Sequence, residues 1–323
     1  MVRVYLLLIL FFHVFLMQAQ QDKGVRIINF AGMEWYVRSG QGNPGHNLWS
    51  DDQQSVWVDY ENRLHLKVRK INGKWYGAEI RSLHPTRYGT HRFYVASRVD
   101  TLDPNLVAAV FIYRDDEHET DIEFSRWTFP QAPNAQYVVQ PETPESQHKF
   151  HLRLNGDFST HVIDWHPDSI RFHSWYGHFL SLPHSHFRID DWTYQGKRLP
   201  DDNRYRIHIN LWMIDNRSPS DNQEAELIIA SVDTPISPLS VEGPAHPEIS
   251  MYPNHYYDHM FVYLHTFRHT ASYDLYRNGK LLETQKVHTP YFFLNLIDYP
   301  IGQYDFVIHL NHKDYLYQIQ KRY

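Results

Sequence analysis

Three acidic residues alternate along the segment Glu119-Thr120-Asp121-Ile122-Glu123-Phe124. Side chains on a β-strand alternate between its two faces, so we predict that Glu119, Asp121 and Glu123 share one face. Like charges this close raise the pKa of at least one carboxyl group, which leaves a protonated acid beside an ionised carboxylate. General acid–base and nucleophilic chemistry need that pairing, so the segment indicates a catalytic site.

The spacing of the two glutamates favours one reaction class. Four residues of strand span roughly 13 Å, and two Glu side chains that lean inward bring their carboxyl groups to about 5–6 Å. Retaining glycosidases need about that separation. A solvated acidic edge or a calcium loop would have the same composition, but Ile122, Phe124 and the apolar run at 107–112 favour a strand inside a sheet.

The composition excludes several other classes of protein. The formal net charge is −6 and no run of Lys or Arg stands out, so we expect no nucleic-acid partner. The chain has 23 His without the spacing of a metal site, and it has no Cys, which excludes disulfides, zinc–thiolate centres and thiol nucleophiles. We expect no cofactor, although a structural calcium ion is compatible with the sequence.

The first residues have the pattern of a secretory signal peptide. Arg3 precedes an apolar run from Val4 to Met17, and the small Ala19 is followed by polar residues. An uncleaved membrane anchor is the alternative, but the run is shorter than the roughly 20 residues that span a bilayer. We therefore predict a signal peptide at 1–19 and an exported mature chain, extracellular or periplasmic, monomeric and without membrane contact.

Alternating, aromatic-rich runs bounded by Gly, Pro, Asn and Asp dominate the chain, and helical periodicity is nearly absent. The 323 residues are enough for a large core. The pattern predicts an all-β fold, an antiparallel β-sandwich of many short strands. The predicted strands of its first part are 64–69, 92–97, 107–113, 119–124, 135–140, 149–154, 161–165, 169–174, 206–212 and 224–231.

A proline-rich stretch near 234–253 has the composition of a linker. Predicted strands follow at 260–265, 271–277, 280–286, 291–296 and 303–310, with a hairpin turn at Asn278-Gly279. We therefore divide the mature chain into a first domain at 20–240, a linker at 241–253 and a small Ig-like β-sandwich at 254–323. The alternative is a tail that adds strands to the first domain. Candidate ligand contacts in it, with core packing the favoured role, are Tyr256, Tyr257, Tyr291, Phe292 and Phe293.

Taken together, the segments resemble glycoside hydrolase family 16 over roughly residues 25–240. The segment 119–124 looks like the catalytic strand of that family, Glu-x-Asp-x-Glu, in its unbulged form. The segments 161–172 and Asn210-Leu211-Trp212 resemble strands that follow the site, and 75–79 and 88–93 resemble early strands. The resemblance implies a curved β-jelly roll with a cleft across its concave sheet, and it does not extend to the tail.

The resemblance also implies residue roles in a retaining double displacement. Glu119 would be the nucleophile, Glu123 the acid and then the base, and Asp121 would assist. The unbulged motif leans the substrate toward a β-glucan. By the family pattern, candidate substrate-binding residues are Trp127, Gln136, Gln140, Trp165 and Trp212.

The favoured function is a secreted, retaining endo-glycoside hydrolase that acts on a polysaccharide. A transglycosylase is a variant, in which a sugar hydroxyl replaces water in the second step. A non-catalytic carbohydrate-binding protein on the same fold is the main alternative, because fold alone does not decide function. Such a protein has no need of both Glu119 and Glu123. A surface adhesin is a third hypothesis.

Overall fold

The computed structural model of the chain describes residues 25–237, 239–254 and 259–322. The predicted signal peptide at 1–19 and the candidate contacts Tyr256 and Tyr257 lie outside the described residues. Strands are almost the only regular secondary structure in the described chain, which confirms the predicted all-β fold class. Within these ranges, no helix is long and apolar enough to cross a membrane.

The strands are numbered here in chain order, and three short 3-10 helices lie between them at Val99–Thr101, Ser185–Phe187 and Ile214–Asn216. The strands are β1 Ile27–Phe30, β2 Met33–Val37, β3 Gly40–Gly42, β4 Asn47–Trp49, β5 Val56–Val58, β6 Leu64–Ile71, β7 Lys74–Tyr76, β8 Ala78–Ser82, β9 Gly89–Ala96, β10 Leu106–Asp115, β11 His118–Phe124, β12 Ala135–Val139, β13 Gln147–Phe150, β14 Phe158–His166, β15 Ser169–Tyr176, β16 Arg188–Tyr194, β17 Arg206–Met213, β18 Ala225–Asp233, β19 Leu239–Glu242, β20 Ile249–Asn254, β21 His259–Leu264, β22 Ala271–Arg277, β23 Lys280–Val287, β24 Tyr291–Asn295, β25 Gly302–Leu310 and β26 Lys313–Lys321.

Two antiparallel sheets enclose one core and form the first domain, a jelly roll. The first sheet, here called the groove sheet, has the order β1-β2-β8-β17-β10-β11-β12-β13. The second, here called the back sheet, has the order β16-β15-β14-β9-β18-β6-β5, with β7 paired to β6. Early and late strands are neighbours in the groove sheet, so strands from distant parts of the sequence build its outer surface.

Apolar residues from both sheets fill the space between them. Val110 and Ile112 of β10, Ile209 of β17, and Ile122 and Phe124 of β11 all belong to this core. The residues that alternate with them must face the opposite side, the outer surface of the groove sheet. The alternation of the sequence therefore places the acidic residues of β11 on that outer surface.

A second, smaller sandwich follows, here called the C-terminal module. Its two sheets have the orders β19-β26-β25-β22-β23 and β20-β21-β24. They share a core of their own, which includes Leu275 and Phe306. The predicted hairpin turn joins β22 to β23, where Asn278 and Gly279 have φ angles of 51° and 72°. Both angles are positive, as a type I′ turn requires.

The structure corrects the predicted linker at 241–253. Strands β19 and β20 occupy most of that stretch. Val241, Ile249 and Met251 are buried in the core of the C-terminal module. Pro244 and Pro247 lie between the two strands, where a missing backbone N–H interrupts no β-ladder. The prolines therefore mark a turn inside the module.

The C-terminal module packs against the outer side of the back sheet through the buried His178. The Nε2 atom of His178 lies 2.8 Å from the carbonyl oxygen of Val95, and Nδ1 lies 2.8 Å from the hydroxyl of Tyr252. Because a carbonyl only accepts, Nε2 carries the proton and Nδ1 accepts from Tyr252. Burial lowers the pKa of His178 to about 4, which keeps this ring neutral. Ser250 also donates to the backbone carbonyl of His178 over 2.6 Å.

Candidate active site

A groove of about 990 Å³ crosses the outer surface of the groove sheet. Strands β2, β3, β8, β17, β10 and β11 contribute its lining. Glu119, Asp121 and Glu123 all point into it, so the structure brings the three predicted carboxylates together on one face. Asp121 is 3% exposed, and the two glutamates are partly buried.

The strand that carries the carboxylates is central in its sheet and has no bulge. Its register with β10 runs without interruption from Ala108 opposite Phe124 to Tyr113 opposite Glu119. The register with β12 is equally regular from Thr120 to Phe124. The small side chain of Ala109 lies opposite Glu123, which leaves space beside that carboxyl group. The unbulged form expected from the sequence is therefore present.

Asp121 and Glu119 share a hydrogen bond that lowers the pKa of Glu119 and raises that of Asp121, so Asp121 is the donor. Burial raises the pKa of Asp121 well above its ordinary value, and the charges of Glu119 and Glu123 raise it further. Burial likewise raises the pKa of Glu119 to about 8, although the hydrogen bond from Asp121 acts in the opposite direction. When this pair loses its first proton, Glu119 is the member that becomes ionised, because Asp121 keeps its proton as the donor.

Glu123 is held by the amide of Gln136. The Nε2 atom of Gln136 donates to Oε2 of Glu123 over 2.5 Å. Burial raises the pKa of Glu123 to about 7, while the hydrogen bond from Gln136 opposes that rise. At near-neutral pH the site therefore contains carboxyl groups poised to exchange protons, as acid–base chemistry requires.

One feature of these pKa values runs against the expected roles. A nucleophile must be ionised while the acid is protonated, yet the pKa of about 8 for Glu119 exceeds the value of about 7 for Glu123. The productive form, with Glu119 ionised and Glu123 protonated, is then a minority of the unliganded protein. The hydrogen bond from Asp121 acts against this order of pKa values, because it specifically stabilises an ionised Glu119.

A second buried carboxylate, Glu79 on β8, organises the far side of the groove. It accepts from Arg38 over 2.7 Å and from Nδ1 of His208 over 3.0 Å. Burial alone would raise the pKa of Glu79, but His208 and Arg38 outweigh it, and the net pKa is lowered. Burial lowers the pKa of His208 despite Glu79. His208 is therefore neutral with its proton on Nδ1, and its Nε2 is a hydrogen-bond acceptor.

Three polar atoms of this region are buried and have no hydrogen-bond partner among the described residues: Nε of Arg81, Nε2 of His208 and Oδ1 of Asn210. All three residues line the groove. His208 lies opposite Arg81 in the β-ladder that joins β17 to β8. One donor and two acceptors side by side match the hydroxyl groups of a sugar, each of which both donates and accepts.

The predicted substrate-binding residues occupy different places. Trp212 and Gln140 line the groove, and Nε2 of Gln140 lies 3.4 Å from Oδ2 of Asp121. Gln136 is buried and donates to Glu123, and it is not among the residues that line the groove. Trp127 is partly buried in a cluster with Trp212, beyond the groove lining.

The prediction that Trp165 lines the cleft is wrong. Trp165 lies on β14 in the back sheet, it is 1% exposed, and it belongs to the core between the sheets. Its Nε1 donates to the carbonyl of Pro200 over 3.2 Å, and its ring packs edge-on against Tyr88 and Tyr205. Trp165 shares a strand face with Ile163, and that face points inward.

The sequence analysis did not single out several groove residues. A signal was present, because polar or aromatic side chains alternate with core residues along β8, β10 and β17. Which of those strands lie beside β11 depends on the strand order, which the alternation does not give. Lining residues that were not predicted as site residues include Arg38, Glu79, Arg81, Ala109, Phe111, Tyr113, His208 and Asn210.

No group of three or more His, Cys, Asp or Glu side chains that could hold a metal ion occurs in the described part of the chain. The hydrogen-bond partners of the three carboxyl groups of β11 are Gln136 for Glu123, Gln140 for Asp121, and Asp121 and Glu119 for each other.

No family model and no curated protein matches the chain. Similar solved structures include a β-1,3-glucanase from Mycobacterium marinum, with 18% identity and a TM-score of 0.48 over 62% of this chain and 90% of that one. A family 16 glycosyl hydrolase from Mycobacterium smegmatis has 15% identity and a TM-score of 0.48 over 63% and 92%. A β-glucanase from Bacillus licheniformis has 18% identity and a TM-score of 0.46 over 66% and 98%. The likeness concerns overall fold, and no residue role rests on it.

Proposed function

We propose that the chain is a secreted, retaining endo-glycoside hydrolase that acts on a β-glucan. One observation carries this proposal: three carboxyl groups share the groove face of a central, unbulged strand, and burial raises the pKa of each of them. Burying carboxyl groups destabilises a fold, and none of the three has a cationic side chain as a hydrogen-bonding partner among the described residues. A catalytic role accounts for that arrangement.

The proposed mechanism has two displacements. In the first, the carboxylate of Glu119 forms a bond to the anomeric carbon while the bond to the leaving oxygen breaks and Glu123 gives that oxygen its proton. In the second, Glu123 takes a proton from water, and the water oxygen displaces Glu119 from the anomeric carbon. Glu119 returns as a carboxylate and Glu123 as an acid, so both groups end as they began.

The two neighbours of the reacting carboxyls have separate tasks in this scheme. Asp121 donates to Glu119 and so stabilises the negative charge that returns when the ester bond breaks. Gln136 holds the carboxyl group of Glu123 in place during both proton transfers. These are positioning and electrostatic contributions, and neither residue exchanges a bond with the sugar.

The shape of the groove supports endo action. Four strand spacings separate β11 from β2 in the groove sheet, and both strands contribute lining residues. At about 4.8 Å per spacing, the groove extends roughly 19 Å to that side of the carboxylates. A polymer segment of several rings fits such a length, and the unbulged strand leans the polymer toward a β-glucan.

Product analysis tests the reaction. The chain is incubated with β-1,3-glucan, mixed-linkage β-1,3-1,4-glucan, xyloglucan and a galactan, and the anomeric form of the first product is followed by NMR. We expect internal cleavage of a glucan with retained configuration. Initial inversion would contradict the mechanism, and transfer to added sugar in place of hydrolysis would identify the transglycosylase variant.

Azide separates the roles of the two glutamates. We expect Glu119→Gln and Glu123→Gln each to lower kcat by at least about 10³-fold with the fold intact. With an activated aryl glycoside, azide should rescue Glu119→Ala to an inverted glycosyl azide and Glu123→Ala to a retained one, because each variant opens a different face of the anomeric carbon. The reverse pattern would exchange the roles, and near-native rates in the Gln variants would refute both.

Retained polymer binding without turnover in the native chain would favour the binding-protein alternative.

Export has its own test. The proposal predicts that chain recovered outside the cytoplasm has lost residues 1–19, which intact-mass measurement detects directly. Recovery of the full-length chain in the membrane fraction would contradict it.

A further inference from the structure

The C-terminal module has a cleft of about 520 Å³ between the edge strands β23 and β24. That volume lies in the range of small-molecule sites. Each of these strands has a neighbour on one side only within its sheet. The cleft is therefore the open end of the sandwich, where the two sheets do not close on each other.

Polar side chains face into this cleft from positions that normally hold core residues. Glu283 lies opposite Leu275 and Gln285 lies opposite Tyr273 in the ladder of β22 and β23, so both share the inward face with buried residues. Inner-face positions of a sandwich are usually apolar. A carboxylate and an amide at two successive inward positions of one strand give the cleft a polar wall that can hydrogen-bond to an occupant.

The carboxylate of Glu283 is held in one orientation. The hydroxyl of Tyr273 donates to one of its oxygens over 2.8 Å, and the hydroxyl of Tyr299 donates to the other over 2.8 Å. Burial raises the pKa of Tyr273, and burial together with Glu283 raises the pKa of Tyr299 to about 12, so both hydroxyls remain donors. Each carboxylate oxygen keeps a lone pair for a donor in the cleft.

An aromatic surface on the outer face of the three-stranded sheet meets the cleft at Phe293. Phe261 lies opposite Phe293, and Tyr263 lies opposite Tyr291, in the ladder of β21 and β24. These four side chains share one sheet face and form a block of two by two. Tyr263, Tyr291 and Phe293 are 37%, 49% and 53% exposed, which is unusual for large apolar rings. Phe293 belongs to both the block and the cleft lining.

We propose that the cleft and the aromatic block together form a second carbohydrate-binding site, separate from the groove. A neutral glycan chain offers flat C–H faces for the rings Phe261, Tyr291 and Phe293, and hydroxyl donors for Glu283. Each ring of a glycan supplies an apolar face and hydroxyl donors together, whereas a lipid acyl chain has no donor for Glu283. The identity of the glycan as a β-glucan rests on the proposed function, whereas the glycan class rests on this site alone.

The position of the site suits a tethering role. The module lies on the back sheet through His178 and Tyr252, whereas the groove lies on the opposite face of the jelly roll. A glycan held by the module leaves the groove open. Binding the polymer at a second site raises the local concentration of substrate at the first.

Binding measurements on the full chain test the proposal. All variants contain Glu119→Gln so that the polymer is not consumed, and the probes are insoluble β-1,3-glucan, insoluble cellulose and mixed-linkage β-glucan in a gel. We expect the pair Tyr291→Ala/Phe293→Ala to raise Kd about tenfold. Glu283→Gln, which removes the charge and keeps the shape, should raise Kd at least about threefold. Leu316→Ala is the matched control, because Leu316 is 54% exposed on the same module and lies outside the cleft lining.

Several outcomes would overturn the proposal. These are an unchanged Kd in the cleft variants, an equal loss in Leu316→Ala, or retention by none of the three polymers. Concentration-dependent dimerisation that Phe293→Ala abolishes would instead identify the block as an interface between copies. In the otherwise native chain, Phe293→Ala should leave hydrolysis of a soluble oligosaccharide unchanged. Polymer binding by the native chain without hydrolysis would refute the proposed function and leave the second site standing. Hydrolysis by the native chain, with an unchanged Kd in the cleft variants, would refute the second site and leave the proposed function standing.

Discussion

Gln136 donates a hydrogen bond to Glu123 over 2.5 Å, between directly opposed positions of β12 and β11. The Oε1 atom of the same amide is buried and has no hydrogen-bond partner within the described ranges. A side-chain amide can offer N–H groups to a carboxylate or its oxygen to a carboxylic acid. Gln136 can therefore serve both protonation states that Glu123 adopts in a double displacement.

The first prediction concerns that amide. Because the hydrogen bond from Gln136 lowers the pKa of Glu123, Gln136→Met should raise this pKa and move the pH optimum of kcat/KM upward. The measurement is a pH–rate profile of both proteins at constant ionic strength. Gln140→Met is the control, since Gln140 contacts Asp121 and not Glu123. An optimum that moves down in Gln136→Met would contradict the assignment.

The second prediction is the shape of the native pH profile. With pKa values of about 7 for Glu123 and about 8 for Glu119, both groups are protonated at low pH and both are ionised at high pH. We expect kcat/KM to peak between about pH 7 and 8 and to fall about tenfold per unit well outside that window. An aryl glycoside with an activated leaving group should flatten the alkaline limb, since that group leaves without a proton from Glu123. A profile flat from pH 5 to 9 on the polymer would refute the paired roles.

The third prediction links these carboxyl groups to stability. Folding raises the pKa of Glu119 from 4.5 to about 8, so the folded state binds the proton more tightly than the unfolded state. The contribution of Glu119 to the free energy of unfolding is then greatest below about pH 4.5 and falls as the pH rises toward 8, by up to about 1.4 kcal/mol per pH unit. Glu119→Gln removes this loss, so its Tm advantage over the native chain should grow between pH 5 and 8. A constant difference in Tm would contradict the raised pKa.

The fourth prediction contrasts two tryptophans. Trp165→Phe should lower Tm, because it loses the hydrogen bond to Pro200 and packing in the core, while KM stays unchanged. Trp212→Phe should raise KM by about two- to tenfold, because Trp212 lines the groove. Thermal unfolding and initial rates on one oligosaccharide measure both effects. A raised KM in Trp165→Phe would indicate that Trp165 contacts the substrate and would contradict its placement in the core.

The fifth prediction concerns the tautomer of His208. His208→Phe removes the acceptor at Nε2 and should raise KM by about two- to tenfold with little change in kcat. His208→Gln should recover most of the loss, because an amide can donate to Glu79 and present its oxygen to the groove. His309→Phe, in the C-terminal module, is the control. Equal KM values for His208→Phe and His208→Gln would argue against an acceptor role.

The sequence pattern predicted strands well where alternation was long and bounded by turns. The strand predicted at 271–277 coincides with β22, and those at 107–113 and 119–124 lie within β10 and β11. Shorter strands with little alternation, such as β3 and β4, went unpredicted, and so did the long β26. Only Lys149 and Phe150 of the predicted strand at 149–154 lie in β13. The strand ends there because the backbone N–H groups of Leu152 and Leu154 donate to the side chains of Asn134 and Asp100 and not to a β-ladder.

The site was predictable only in part, for a physical reason. Alternation along β11 fixes a shared face for Glu119 and Glu123, which is a local property of one strand. Glu79 and His208 join that face because β8 and β17 lie beside β10, and such neighbourhood is set by the packing of the whole domain. Trp165 shows the same limit, since the direction of its face depends on which side of β14 meets the other sheet.

The pairing of β19 with β26 joins the first and last strands of the C-terminal module. A shortened chain that begins at residue 254 would lose β19 and β20, and with them Leu239 and Met251 from the hydrophobic interior. Because its first and last strands lie side by side, the module is a compact unit that can be joined to other proteins as a whole domain. The domain boundary that keeps this module intact falls between Ser237 and Leu239.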